Sequence, residues 1–107
     1  MFKSAFIIMA PDGDPAKHRM TLQTEKAQLT AVFIEIFDFD KALEVAEELV
    51  QKDGVQSIYL CPGFTNQAVG RISAAVSGKA AVQVGRGDSP STIMVGEMLG
   101  KEGWFDE

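Results

Sequence analysis

The sequence predicts an α/β fold, a single small Rossmann-like sandwich with a mostly parallel sheet of four to five strands. Apolar runs rich in β-branched residues alternate with segments whose apolar residues recur at helical spacing, and Gly, Pro or Asp separates them. The predicted order is β, β, α, β, α, β and a short helix, which contains two consecutive βαβ crossovers. A ferredoxin-like α+β fold is the alternative, although its order requires two adjacent strands between the helices. A chain of 107 residues is expected to form one domain over residues 1–107.

The N-terminal third of the chain predicts two strands and an ambiguous segment. Residues 3–10 include the apolar run FIIMA, which PDGDP interrupts, so a buried first strand is predicted. Residues 11–27 are polar, and within them residues 20–24 alternate in a way that fits either a short edge strand or a loop. Residues 29–37 are β-branched and aromatic, which predicts the second strand.

A helix and a third strand are predicted in the middle of the chain. Apolar side chains recur at helical spacing over residues 39–52, with charged residues between them. Asp38 is placed to accept hydrogen bonds from the first free amides of this helix, and Gly54 is placed to end it in a left-handed conformation. Residues 55–60 then form a short apolar run that predicts the third strand.

The C-terminal half predicts two further helices and a fourth strand. Thr65 or Asn66 is expected to cap the second helix, which should stop at Gly78. Residues 80–84 predict the fourth strand. Residues 92–99 have a helical arrangement of apolar side chains and predict a short third helix.

Composition and charge exclude several classes of function. A net charge of -5 argues against a nucleic-acid partner, because a phosphate backbone requires a concentrated basic patch. Cys61 is the single cysteine, which excludes an internal disulfide and favours a reducing compartment. No apolar run approaches the roughly 20 residues needed to span a bilayer, and the N-terminal run is shorter than a signal peptide requires. We therefore expect a cytoplasmic protein with no membrane partner.

The candidate site lies at the carboxyl ends of the parallel strands, where loops converge and helix N-termini present free amides. Such amides favour negative charge whatever the net charge of the chain, so the expected ligand is a small anionic metabolite. The expected ligand-binding residues are Asp12, Gly63, Phe64, Thr65, Asn66, Arg86 and Asp88.

These residues also have structural explanations. Gly63 permits close backbone approach and Thr65 or Asn66 adds a side-chain donor, yet a tight turn followed by a helix cap would use the same residues. Phe64 fits either a cover for an apolar part of the ligand or packing on the second helix. Arg86 lies between two glycines, so its guanidinium can project toward a carboxylate or phosphate or pair with an acid of the chain.

An enzyme is the alternative function, with Cys61 as nucleophile or as acid/base. Cys61 follows a buried strand and precedes a helix N-terminus, a position that favours the thiolate, and His18 would be its partner if the polar loop folded over the sheet edge. A buried structural cysteine fits the same position. Asp12, Asp14 and Asp88 lie in turns without recognised metal spacing, and no cofactor motif is present, so neither a metal nor a cofactor is expected.

The sequence GRGDSP at residues 85–90 matches the peptide by which fibronectin-like matrix proteins engage integrins. A six-residue match arises readily in a βα loop, where Gly, Asp, Ser and Pro are already favoured. Because the chain shows neither a secretion signal nor a disulfide framework, no integrin partner is expected.

Three stretches carry a resemblance to a known family: SAFIIMAPDGDPAKHR, DFDKALEVAEELVQKDGVQSI and the segment from YLCPGF to AVQVGR. With them the chain resembles, over nearly its whole length, a family of short bacterial proteins known only as a domain of unknown function. The residues that correspond to the family pattern include Pro11, Asp14, His18, Cys61, Gly63, Phe64, Arg71 and Arg86. The resemblance implies a bacterial cytoplasmic single domain and implies no activity. A looser likeness to aspartate and glutamate racemases lacks the second cysteine of their chemistry.

A third hypothesis is a structural protein that acts through self-association. The chain contains five Met, and we expect the apolar side chains of Met94, Met98, Trp104 and Phe105 to be exposed. A small parallel sheet with few covering helices often hides an edge or face in an oligomer. We therefore expect a homo-oligomer, with a dimer as its simplest form.

Overall fold

The computed structural model, which describes residues 1–106, contains five strands and three helices. The strands are β1 (Phe2–Ala10), β2 (Arg19–Gln23), β3 (Ala27–Glu35), β4 (Ser57–Leu60) and β5 (Ala81–Val84). The helices are α1 (Phe39–Asp53), α2 (Asn66–Ala75) and α3 (Ser89–Lys101).

The strands form one mostly parallel sheet in the order β2-β3-β1-β4-β5. β1 pairs in parallel with both β3 and β4, and β4 pairs in parallel with β5. β2 runs antiparallel to β3 at the edge, with Leu22 opposite Leu29. The prediction of an α/β fold with a mostly parallel sheet of four to five strands is confirmed, and the Rossmann-like interpretation fits this arrangement.

The ends of the helices follow local chain chemistry. Asp38 accepts a hydrogen bond from the backbone amide of Lys41, and Gly54 ends α1 in the left-handed conformation, as predicted. α2 is capped by Thr65 but ends at Ala75, before Gly78. α3 is longer than the predicted 92–99, because proline is tolerated in the first turn of a helix and α3 begins just before Pro90.

The hydrophobic core lies on one face of the sheet, between the strands and helices α1 and α2. From the sheet it includes Ala5, Ile7, Met9, Val32, Ile34, Ile58 and Leu60. From the helices it includes Ala42, Val45, Ala46, Leu49, Ala68 and Ile72. Because side chains alternate along a strand, the residues between these core positions point to the opposite face.

Chain direction explains why both helices share one face. The connections from β3 to β4 and from β4 to β5 both progress toward the β5 edge, so right-handed crossovers place α1 and α2 on the same side. The connection from β1 to β3 progresses the other way, and a helix there would cover the second face. In this chain that connection contains the edge strand β2 instead of a helix. Within residues 1–106, none of the helices combines the length and apolar character needed to cross a bilayer.

Candidate functional site

Arg86 joins the loop after β5 to the loop after β4 at the carboxyl edge of the sheet. Its Nη1 donates to the backbone carbonyl of Pro62 at 2.9 Å, and its Nη2 donates to Oδ1 of Asn66 at 2.9 Å. The structure therefore brings together the two segments that the sequence assigned to one site. Arg86 therefore has a structural role, as one of the two sequence-based explanations proposed. Its partners are a backbone carbonyl and a side-chain amide oxygen, and not the acidic side chain that was expected.

An anion-binding site was expected at the start of α2, but several of the polar groups there form hydrogen bonds within the chain. The side chain of Thr65 accepts a hydrogen bond from the amide of Ala68 at 3.1 Å, which makes Thr65 a helix cap. The side-chain oxygen of Asn66 accepts a hydrogen bond from Arg86. A Cβ at Gly63 would overlap the terminal methyl group of Met9, so a larger residue there would require that flexible side chain to shift.

Phe64 and Cys61 are buried beneath this edge. Phe64 is 1% exposed and contacts Phe39 with a ring-centroid distance of 5.6 Å, so it packs in the core and has no free face for a ligand. Cys61 is 7% exposed and belongs to the same core. Its position matches the small buried hydrophobe that the sequence offered as the alternative to a nucleophile.

His18 organises the loop after β1. Its Nδ1 accepts a hydrogen bond from the backbone amide of Asp14 at 3.0 Å, and its own amide donates to the carbonyl of Asp14 at 2.7 Å. His18 also lines a small open cleft with Asp12, Gly13 and Phe33. Asp12 and His18 thus line the same cleft, and the hydrogen bonds between His18 and Asp14 fix the conformation of the loop.

The structure does not bring His18 and Cys61 together. His18 precedes β2 and Cys61 follows β4, and in the sheet β3 and β1 lie between these strands. Three strand spacings separate β2 from β4, which amounts to roughly 14 Å. A base must lie within hydrogen-bond reach of the thiol that it activates, so this geometry provides no Cys–His pair.

A further cleft on the carboxyl edge was not predicted from the sequence. It measures about 570 Å³ and lies between the end of β3 and the segment after α3. Its lining residues are Pro11, Glu35, Ile36, Phe37, Trp104, Phe105 and Asp106. α3 begins beyond β5 and ends near β3, so it spans the edge of the sheet and delivers the two aromatic residues that follow it.

Phe37 adopts an unusual backbone conformation at this cleft. Its φ of 61° is positive, which is strained for a bulky residue and is seldom adopted except by glycine, asparagine and aspartate. Its amide donates to Sδ of Met9 at 3.2 Å, and its ring lies 6.2 Å from that of Phe39. These contacts hold the strained residue, and 59% of Phe37 remains exposed toward solvent and the cleft. The aromatic residues Phe37, Trp104 and Phe105 could have indicated this cleft from the sequence. They were not connected because Phe37 lies far from the other two along the chain.

Asp88 precedes α3 and is exposed to solvent. It makes no capping hydrogen bond to the helix, while the neighbouring Ser91 hydroxyl lowers the pKa of its carboxyl group below the ordinary 3.8. Within residues 1–106, no three His, Cys, Asp or Glu side chains converge as ligands of a metal ion would.

Comparison with known proteins gives a family and no activity. The search among curated proteins and the search among solved structures each gave no match. The sequence model of a family described as "Family of unknown function (DUF6506)" matches residues 2–95, which is most of the chain. This confirms the resemblance to a family of unknown function. The chain therefore belongs to the DUF6506 family.

Proposed function

We propose that this protein binds a small molecule in the cleft between Phe37 and the Trp104–Phe105 segment. The observation that carries the proposal is a strained aromatic residue at the carboxyl edge of a parallel sheet, facing two further aromatic residues across a cleft. Strained residues persist where the surrounding structure holds them, and they are concentrated at functional sites. The volume of about 570 Å³ falls within the range of small-molecule sites.

The lining favours a flat ligand that carries a positive charge or hydrogen-bond donors. Aromatic walls contribute stacking and cation–π contacts. Of the seven described residues that line the cleft, Glu35 and Asp106 are acidic and none is basic. Carboxylates accept hydrogen bonds and attract cations, so a ring with an ammonium or N–H group matches this cleft better than an anion.

An anionic metabolite near Arg86 is the second candidate. Arg86 has five N–H donors, and within residues 1–106 only two of them have hydrogen-bond partners. A carboxylate or phosphate could therefore contact the remaining donors from the solvent side. This candidate has less support, because the helix cap and Asn66 are already engaged by the chain.

A nuclear magnetic resonance titration tests both candidates. Trp104 is the single tryptophan, so its indole N–H gives one assignable signal inside the cleft. Benzylamine, benzyl alcohol and phenylacetate are suitable probes because they share a ring and differ in charge. We expect saturable shifts of the Trp104 signal, with the tightest binding for benzylamine, which is protonated at neutral pH.

Two variants provide the control. Phe105→Ala removes one wall of the cleft and should weaken benzylamine binding, whereas Met94→Ala removes an exposed side chain of α3 that does not line the cleft and should leave binding unchanged. Absence of saturable shifts with all three probes at millimolar concentration would contradict the proposal. Preferential binding of phenylacetate, with shifts centred on Arg86, would favour the anionic candidate instead.

A further inference from the structure

The face of the sheet opposite α1 and α2, called here the open face, is apolar and uncovered within residues 1–106. Its side chains are those of Phe2, Ser4, Phe6, Ile8, Ala10, Met20, Leu22, Ala27, Leu29, Ala31, Phe33, Glu35, Ser57, Tyr59, Ala81 and Gln83. Met20 is 72% exposed and Leu22 68%, and Leu29 and Phe33 are about two-fifths exposed. Parallel sheets occur almost only with both faces covered, so this sheet lacks one of its expected layers.

The open face carries very little charge. Twenty-five of the 107 residues are Lys, Arg, Asp or Glu, yet among the 16 open-face strand positions only Glu35, at the carboxyl end of β3, is charged. Extended apolar surfaces of this kind mark sites of association. The absence of Lys and Arg gives no attraction to a nucleic-acid backbone or to an anionic membrane. A protein surface of matching apolar character is the occupant that this chemistry fits.

The chain's own α3 does not cover the open face. The loop from β5 to α3 is held by Arg86 to Pro62 and Asn66, and Asn66 begins α2, which packs on the covered face. At its other end, α3 leads into the cleft beside Phe37. These two attachments keep α3 along the carboxyl edge of the sheet.

We propose that a second copy of this chain covers the open face, so that two sheets pack face to face about a two-fold axis. A surface that meets itself in an isologous dimer must be self-complementary, and an apolar face whose one charged residue, Glu35, lies at its rim satisfies this condition with little like-charge repulsion. Paired sheets pack about 10 Å apart with interdigitating side chains, and the protruding Phe, Leu and Met side chains of this face are suited to such packing.

The size of the open face agrees with this occupant. Strand lengths and spacings give a flat area of about 500 Å². Protruding side chains raise the accessible area above the flat value, toward the ~600 Å² per partner at the lower end of stable interfaces. The interface does not include Arg86 and shares only Glu35 with the lining of the aromatic cleft, so variants at Leu22 and at Phe105 test the dimer and the proposed ligand site separately.

Light scattering after size-exclusion chromatography tests the dimer, using two variants matched in exposure and in charge. Leu22→Glu places a carboxylate on the open face at a side chain that is 68% exposed, and Ile93→Glu does so on α3 at one that is 64% exposed. We expect a dimer for the wild type and for Ile93→Glu at high micromolar concentration. Leu22→Glu should be monomeric, because its two copies would bring like charges into an apolar interface.

A second measurement keeps the proposal testable if a variant is unfolded. Isotope-filtered nuclear Overhauser spectroscopy on a mixed labelled and unlabelled wild-type sample should show intermolecular contacts from the methyl groups of Leu29 and Met20. A wild-type monomer at high micromolar concentration would overturn the proposal. So would intermolecular contacts confined to Met94 and Met98 of α3, or a dimer that Ile93→Glu disrupts and Leu22→Glu does not.

Discussion

Phe37 has a left-handed backbone conformation that is unfavourable for a bulky side chain. A left-handed backbone costs an ordinary residue about 1–2 kcal/mol, and glycine avoids most of this cost. The chain nevertheless has phenylalanine here, with its side chain more than half exposed. The exposed ring contributes less to core packing than a buried one would, so packing alone does not account for phenylalanine at this position, whereas the proposed ligand contact does.

Substitution of Phe37 separates strain from packing. We expect Phe37→Gly to be more stable than Phe37→Ala by about 1 kcal/mol, because both remove the ring and only glycine relieves the positive φ. Both variants should lose benzylamine binding at the Trp104 signal. Urea denaturation gives the free energies of unfolding. Equal stability of the two variants would show that the backbone is not strained at Phe37.

Substitution by alanine is predicted to have opposite effects on stability at Gly13 and at Gly70. At Gly13 a Cβ would collide with the backbone of Ile34 in β3, whereas at Gly70 on the exposed side of α2 a Cβ meets nothing within 4 Å. We expect Gly13→Ala to lower the free energy of unfolding by about 1–3 kcal/mol. Gly70→Ala should raise it by up to about 1 kcal/mol through helix propensity. Chemical denaturation measures both, and a neutral Gly13→Ala would contradict the tight contact.

At the scale of elements, capping decides where the helices begin. The side-chain oxygens of Asp38 and Thr65 each accept a hydrogen bond from a backbone amide in the first turn. Asp38 was identified from the sequence and Thr65 was one of two candidates, with Asn66, because the capping interaction is local. Asp88 occupies the equivalent position before α3 without such a bond. The start of α3 is therefore less firmly fixed by its cap than the starts of α1 and α2.

The Asp88 carboxyl group should titrate below its ordinary pKa. The Ser91 hydroxyl favours the charged form, so the folded pKa is lower than that of the unfolded chain. The resulting stabilisation is present at neutral pH, above both pKa values, and is lost as the pH falls through the folded value. We expect a titration midpoint below 3.8 by carbon-detected magnetic resonance, and a higher midpoint in Ser91→Ala. A wild-type midpoint at or above 3.8 would contradict this assignment.

At the scale of the whole molecule, the sheet has one covered face and one open face. Right-handed crossovers assign α1 and α2 to the same side, and the β1–β3 connection contributes a strand where a helix could have covered the other. The absence of that helix concentrates unburied apolar surface on a single face. Folding and association are therefore expected to be coupled.

This coupling predicts a concentration-dependent melting temperature. Association stabilises the native state by mass action, so the wild-type melting temperature should rise with protein concentration. Leu29→Glu on the open face should melt at a temperature that is independent of concentration, and Ile93→Glu should behave like the wild type. Differential scanning calorimetry over a wide concentration range measures this, and a constant wild-type melting temperature would argue against the dimer.

The sequence by itself determined the order of the elements other than β2, the α/β class and the cap at Asp38, and it narrowed the cap of α2 to Thr65 or Asn66, because apolar periodicity and capping depend on neighbours within a few positions. It also placed the loops containing Pro62 and Arg86 at one edge, since the carboxyl ends of parallel strands meet there. Only the tertiary structure decided that β2 joins the sheet, that Phe37 and Trp104 line the same cleft, and that one face of the sheet stays open. Those features depend on contacts between segments far apart in the chain and on the direction of each crossover, which local patterns do not encode.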